Sequence, residues 1–480
     1  MRRLSLLAAL LTASTAEAQT FSISDPENVG DPAAEEEEEV PAAFQSTLFR
    51  GRYTLQAAVD TAHEPAARTC DANQCEDVFD LRNRLELRAQ TDVSSTLRAV
   101  VEARLSHFLV GERPEDESFT VVNARRVKAE FEPEVREAWL RWRLPGWDLT
   151  VGNQVIAWGV LDLNSPQDVL NPVDYREGLA AGTEPPRIPI LAARLEGRAG
   201  PISLDGVVVP FFEPHKINLF GSDFAILRPA NPLQPVGAAS LFELILGPIH
   251  SSREDAYQPL LQASEVPDEE PRNATVGLRA GTSVAGIDAH VAWIYGWDRL
   301  PTLEIDLQGK PPIRSFHERQ HVLGADLTTT LGDLALRLEG GWTPERTLYT
   351  EGFQPVRKPV FSSGAGVDWN HEGRYSVNVE ATWLHVDEVG DTDLYLIDED
   401  VVMVGGAIRL EIIDDELTLS VLGLRNITLR DLILTPEVAW RPADGHELAL
   451  ALQLYEGAED SPGGLFDNND QALIRYTATF

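Results

Sequence analysis

Cysteine is almost missing from this chain. Cys70 and Cys75 are the only two among 480 residues, too few for a disulfide scaffold. No run of about 18 apolar residues occurs, so no segment is built to cross a bilayer as a helix. Basic residues are scarce: 40 lysines and arginines face 76 aspartates and glutamates. The resulting formal net charge of −36 repels phosphate backbones and argues against nucleic acid as a partner. Neither a Gly-x-Ser-x-Gly elbow nor a phosphate-binding loop is present. The stretch His317-Glu318-Arg319-Gln320-His321 matches a zinc-protease pattern, which needs a helix to bring both imidazoles to one face. Pro311-Pro312 precede it and Val322 onward alternates like a strand, which holds the two histidines about 13 Å apart. Neither metal nor cofactor is expected.

What the chain does have is a period of two. Tyr53, Leu55, Ala57 and Val59 alternate with Arg52, Thr54, Gln56 and Ala58. Leu97, Ala99, Val101, Ala103 and Leu105 alternate with Arg98, Glu102 and Arg104. Such alternation is the mark of strands with one apolar and one polar face. It recurs to the end of the chain and predicts about 18 strands, with 16 the nearest rival.

The connections carry as much information as the strands. Pro145-Gly146, Gly200-Pro201, Ala285-Gly286, Gly332-Asp333, Glu372-Gly373, Asp414-Asp415, Ala443–Gly445 and a turn within Thr91–Ser94 are tight connectors. Long segments separate them, near 61–78, 109–133, 158–186, 213–272, 298–319, 344–361, 387–400 and 458–469. Short turns alternating with long loops point to an all-β fold, a transmembrane antiparallel barrel. Its turns would be periplasmic and its loops extracellular. One short connector, Asn426–Leu429, falls where that pattern asks for a long loop.

Three domains are expected. Residues 1–18 read as a secretory signal, with Arg2 and Arg3, an apolar Leu4–Leu11 core and Ala16-Glu17-Ala18 before the cut. Residues 19–46 carry no lysine or arginine and include the run Glu35–Glu39, so they read as a solvated acidic tail. The barrel would occupy 47–480. Its last strand sets Ala472, Ile474, Tyr476, Ala478 and Phe480 on one face. That ending resembles the C-terminal recognition strand of outer-membrane proteins, which implies the barrel-assembly machinery as a partner.

Sidedness follows from the alternation. On one strand Ala138, Leu140, Trp142 and Leu144 would meet lipid while Glu137, Trp139, Arg141 and Arg143 face inward. A charge at the lipid midplane would cost about 2–4 kcal/mol. Trp142, Trp342, Tyr375, Trp383 and Trp440 suit interfacial girdles. Arg82, Arg84, Arg88, Arg98, Arg104, Arg141 and Arg143 gather on the inward face of early strands. They make either a basic wall that concentrates anionic solutes or a ladder paired with Glu86, Glu102 and Glu137.

Residues 137–177 hold Glu-Ala-Trp-Leu-Arg-Trp, then Gly-Asn-Gln-Val-Ile-Ala-Trp-Gly at 152–159 and Asn-Pro-Val-Asp at 171–174. This stretch resembles a family of large porin-like outer-membrane barrels, largely uncharacterised, in which Gly-Arg-Gln-x-x-x-Trp-Gly leads into a loop with Asn-Pro-x-Asp. Asn153 stands where that family has arginine. The resemblance implies transport, with hydrophobic or lipid-like compounds suspected for relatives. In physical terms Gly152 and Gly159 permit a close approach or sharp turn, and Trp158 can cap the barrel mouth. Asn171 and Asp174 can bond their own backbone, and Pro172 holds the loop extended. The loop 158–187 is either a constriction inside the lumen or a lid above it. The loop 213–272, with Phe220 and Phe224, is a second plug or a surface loop.

Cys70 and Cys75 share one predicted outer loop and are expected to form a local disulfide in an exported protein. The acidic loop 387–400 either binds divalent ions bridging to lipopolysaccharide or is simply solvated. The functional expectation is a channel for small or hydrophobic solutes in a Gram-negative outer membrane, surrounded by lipid and lipopolysaccharide. A periplasmic transport partner is compatible with it. The competing readings are a silent barrel whose loops bind a surface partner and a barrel-borne hydrolase, for which no histidine motif is present.

Overall fold

The computed structural model describes residues 45–61, 78–111, 131–162, 165–175, 187–216, 265–305, 313–350, 354–390, 394, 397–413, 416–458, 461–467 and 469–480. The predicted leader, most of the acidic tail, Cys70 with Cys75, and residues 217–264 lie outside them, as do parts of the 387–400 loop.

Among the described residues twenty strands form in chain order: β1 Gln45–Asp60, β2 Val78–Ser94, β3 Leu97–Gly111, β4 Phe131–Leu144, β5 Trp147–Gln154, β6 Ile190–Ala199 and β7 Ile202–Val209. Then come β8 Thr275–Val284, β9 Ile287–Trp297, β10 Thr302–Ile305, β11 Ile313–Phe316, β12 Arg319–Leu331, β13 Leu334–Tyr349 and β14 Pro355–His371. The last are β15 Tyr375–Val386, β16 Asp400–Ile413, β17 Leu417–Asn426, β18 Asp431–Ala443, β19 His446–Glu456 and β20 Gln471–Thr479. Eighteen of them pair antiparallel with their chain neighbours, and β1 pairs with β20, so the sheet closes on itself. Closure leaves no open edge. The two remaining strands, β10 and β11, form a separate hairpin in the connection between β9 and β12.

Most strands lie near their expected positions, but the long loop expected near 344–361 is largely strand: β13 runs on to Tyr349 and β14 begins at Pro355, because the two stay paired through Tyr349↔Pro355. The turn expected within Thr91–Ser94 is displaced: β2 continues to Ser94 and the chain reverses at Ser95-Thr96, because the β2–β3 ladder extends to Ser94↔Leu97. Asn426 closes the short β17–β18 connection by accepting from the Leu429 amide at 2.9 Å.

The outer face is a continuous apolar surface. Leu450, Ile474, Leu278 and Val291 are each more than half exposed, although a water-soluble sheet would cover such side chains. Aromatic rings bound this surface at two levels. Trp142, Trp369, Tyr375, Trp440 and Tyr476 lie toward the short-turn end, and Trp293, Tyr295, Trp342, Phe361 and Trp383 toward the long-loop end. Tyr375 and Trp383 are eight positions apart on β15. That separation is about 27 Å along the strand, or about 20 Å along the barrel axis at a tilt of about 40°.

At the seam Phe480 and Gly51 exchange backbone hydrogen bonds of 2.6 and 2.9 Å. The Phe480 ring lies over Gly51, where a Cβ would fall 2.2 Å from it.

Candidate functional site: a segment inserted into the lumen

Strand β5 ends at Gln154, earlier than the motif suggested, because the chain then turns into the barrel. Trp158 does not cap the mouth. It is buried, its Nε1 donates to Asp205 Oδ2 on β7 at 2.9 Å, and its ring fills the space left by Gly277 on β8. Beyond it the segment reaches the opposite wall. The amides of Val160 and Leu161 donate to Glu339 Oε2 at 2.7 and 3.0 Å. Ser165 Oγ and the Gln167 amide donate to Glu339 Oε1 at 2.6 and 3.3 Å. The Asp162 amide donates to Glu380 at 2.9 Å, and Gln167 Nε2 to Asp326 at 3.2 Å.

Three inward carboxylates on β12, β13 and β15 thus receive donors that a loop would otherwise leave unsatisfied. Arg337 completes this latch. It donates to Val160 O and to Asp162 Oδ2 and pairs with Asp368 and Glu380 at 2.8 Å each. Close approach is possible because the facing wall is bare at key points. A Cβ on Gly324, Gly341 or Gly364 would fall within 2.3–2.6 Å of Gln167, Pro166 or Leu161 respectively. Gly159 needs both its freedoms. Its φ is +102°, and a Cβ there would lie 2.0 Å from Ser165 Oγ.

The insertion changes what the interior looks like. Ile156, Trp158 and Leu170 pack with Ile190, Val207, Val209, Ala292, Ile294 and Val322 on the inner wall. An interior expected to be polar is therefore apolar where the segment covers it.

Asn171 holds the root of the segment. It does not bond its own neighbours as expected. Its Oδ1 accepts from the Ile156 amide at 2.8 Å, and its Nδ2 donates to Ile188 O at 2.8 Å, so it ties the entry to the exit. The carbonyl of Pro172 accepts from the Ile188 amide at 2.7 Å. Asp174 forms a parallel bridge with Lys216. Asn153, at the position of the family arginine, donates to the Val135 and Arg136 carbonyls at a bulge in β4.

Near the long-loop end Arg299 donates to the carbonyls of Val169, Leu170 and Glu213, and burial lowers its pKa to about 10. The Val173 amide donates to His215 Nδ1 at 2.7 Å. Desolvation pushes His215 down to about 3 and His317 down to about 4, so both are neutral. His317 bonds Asp298 O and tilts against Phe212, whereas His321 stacks on Tyr295. The two zinc-pattern histidines have separate surroundings.

The seven arginines of β2–β4 fall on the inner wall and divide into two groups. Arg88 bridges Glu102 and Glu137 at 2.8 Å each, Arg104 pairs with Glu86, and Arg98 pairs with Asp92 at 2.8 Å. Arg82 is buried beside Arg84 on the same strand face. Arg141 donates to Thr150 Oγ1 at 3.1 Å and lies over the Trp139 ring. These contacts favour the ladder over the open basic wall. Arg143 differs: it is exposed, and its guanidinium has no hydrogen bond or ion pair among the described residues.

Of the acidic outer loop, Asp400 accepts from Trp383 Nε1 and contacts His385. Among the described residues no three carboxylates or imidazoles converge as a metal site would require.

A closed antiparallel barrel with a segment folded into its interior defines the class, a porin-like barrel. The chain belongs to the family described as protein of unknown function DUF1302, whose model matches residues 1–479. Its structure is similar to that of Acinetobacter baumannii OccAB2, with a TM-score of 0.51 and 9% identity over 92% of this chain and 99% of that one. Pseudomonas aeruginosa OccK8 (OprE) aligns with a TM-score of 0.48 and 8% identity over 90% and 97%. Acinetobacter baumannii OccAB3 gives 0.47 and 10% over 90% and 99%. No curated protein matches the chain.

Proposed function

We propose that this protein is a porin-like channel of a Gram-negative outer membrane, passing small solutes passively through a lumen narrowed by residues 155–162 and 165–175. The observation that carries this reading is the inserted segment, latched by Glu339, Glu380 and Asp326 inside a closed wall. The exposed apolar belt between two aromatic levels supports lipid as its surroundings. In this reading the tight turns face the periplasm and the long loops the outside. Lipid and lipopolysaccharide surround the barrel, and the assembly machinery receives the strand ending at Tyr476 and Phe480.

Selection would come from the space beside the segment and from the charges left unpaired around it, without a covalent step. The test is planar-bilayer recording of the full-length protein. Stable single-channel steps are expected, with larger conductance once the segment is released by Glu339→Ala. A folded barrel that stays silent in both forms would replace this reading with one in which the loops bind a surface partner.

A further inference from the structure

The barrel is closed in its count of strands but not along their whole length. Strand β5 accompanies β4 only from Leu144 up to Ala138, which pairs with Asn153, because the chain leaves the wall after Gln154 to enter the lumen. Among the described residues, Glu134 to Glu137 are therefore laddered on their β3 side alone. Across the gap lies the stretch 187–189 that leads into β6. With one strand missing between them, the two banks stand about 10 Å apart, or two strand spacings.

This gap lies within the lipid-facing band. On β15 the two aromatic levels, Tyr375 and Trp383, are eight positions apart. Eight positions from Trp142, the turn-end aromatic of β4, reach Glu134. A bare sheet edge at that depth would turn carbonyls and amides toward hydrocarbon, which is costly. Side chains take the place of the missing strand. Asn153 Nδ2 donates to the carbonyls of Val135 and Arg136 at 3.1 Å each. The bulged Arg136 reaches across and donates to Arg187 O at 3.2 Å. On the far bank Asn171 stands between the Ile156 amide and Ile188 O, where the next ladder bond would run. Pro133, just beyond, has no amide to satisfy.

Both faces of the gap are apolar. Outside, Val135 and Leu191 are exposed toward lipid. Inside lies the patch of Ile156, Leu170 and Ile190, with Ala157 exposed to the lumen and Val155 half-buried beside it. A greasy interior next to a wall held shut by side chains suits a solute that prefers hydrocarbon to water.

We propose that the gap between β4 and β6 is a side portal through which slender apolar molecules pass between the lumen and the hydrocarbon of the outer membrane. Asn153 and Arg136 are its gate. Their hydrogen bonds let go without dismantling a ladder, and the Arg136 stem can line the gap while its charge swings to the headgroups. The portal rests on the channel reading for the lumen that the solute enters, and adds to it the solute class and a second way out.

The test uses the full-length protein in liposomes whose bilayer carries a trifluoromethyl phenyl diazirine, an apolar probe that labels what it touches on illumination. Labelled residues are read by mass spectrometry. Leu450 and Leu278 on the outer face should label equally in every form. Val155 and Ala157 should label in the wild type and about fivefold more strongly in Asn153→Ala, the shift that one lost hydrogen bond gives. A bismaleimide staple across the outer side of the gap, in Val135→Cys/Leu191→Cys with Cys70→Ser/Cys75→Ser, should cut that labelling at least about fivefold against the same variant unstapled. Retained folding is checked by the heat-dependent gel shift of the barrel. Equal labelling of Val155 and Ala157 in the wild type and Asn153→Ala, or labelling indifferent to the staple, overturns the portal. A barrel that labels through the gap but carries no current keeps the portal and defeats the aqueous channel. A conducting barrel whose interior stays unlabelled does the reverse.

Discussion

Two parts of the inner wall use the same residue types in opposite ways. Along β2 to β4, glutamates and aspartates pair with arginines of the wall itself, so Arg88 joins Glu102 and Glu137 side by side. Along β12 to β15, Glu339 takes four donors from a segment that lies far away in sequence. The first arrangement stiffens a surface that stays wet. The second removes water and fixes a plug. A carboxylate pointing into a barrel thus reveals little until its donors are known.

The largest effect should come from the plugged side. Glu339→Ala leaves the Val160, Leu161 and Gln167 amides and the Ser165 hydroxyl without their acceptor, a loss of about 3–5 kcal/mol in segment docking. Hydrogen exchange at residues 158–167 should accelerate sharply. Protection equal to the wild type would erase the contrast between the two walls.

A smaller effect is expected from Gly341→Val. The added atoms collide with Pro166, at a cost of about 1–3 kcal/mol. The check is proteolysis within the segment, which should appear in the variant alone.

Acid should act at the same end. His215 and His317 are held neutral well below their ordinary value of 6.5. Unfolded or undocked chain therefore binds protons first as pH falls below about 6.5. The stabilising contribution is complete above that value and declines toward pH 4. Between pH 7 and 5.5 the loss is about 1 kcal/mol for each histidine. The protection factor of the Val173 amide, which donates to His215, should fall over that interval once the intrinsic exchange rate is divided out, and should stay constant between pH 7 and 8.

On the ladder side Arg88→Ala should cost less than about 1 kcal/mol, because the pair remains partly solvated. Reversal potentials in a salt gradient should shift modestly toward cations. A shift larger than that caused by Glu339→Ala would show that the ladder, rather than the plug, governs passage.

The barrel was legible in the sequence because hydrogen-bonded strands force side chains to alternate, and lipid then forces one set to be apolar. Leu448, Leu450 and Leu452 on β19 show this without any partner being known. The β10–β11 hairpin was not legible, since four residues carry too short a pattern. The plug was only half legible. Trp158 and Asn171 stood out, but the direction of the segment depends on Glu339, Glu380 and Asp326. Each of these sits in a strand like any other lumen charge, and each finds its donors through space. A usable signal did exist: Gly277, Gly324, Gly341 and Gly364 all fall on the inward parity of their strands, which marks where another backbone comes close.

The seam at Gly51 and Phe480 has a consequence for how the molecule comes into being. Its first strand pairs with β2 early but gains its second neighbour only when the final strand has been delivered, so the newborn chain carries two raw margins until the very end. Such long-range closure is intrinsically slow and prone to mispairing. Shortening the chain by Phe480 alone should therefore harm birth more than durability, leaving barrels that survive once made but are seldom completed.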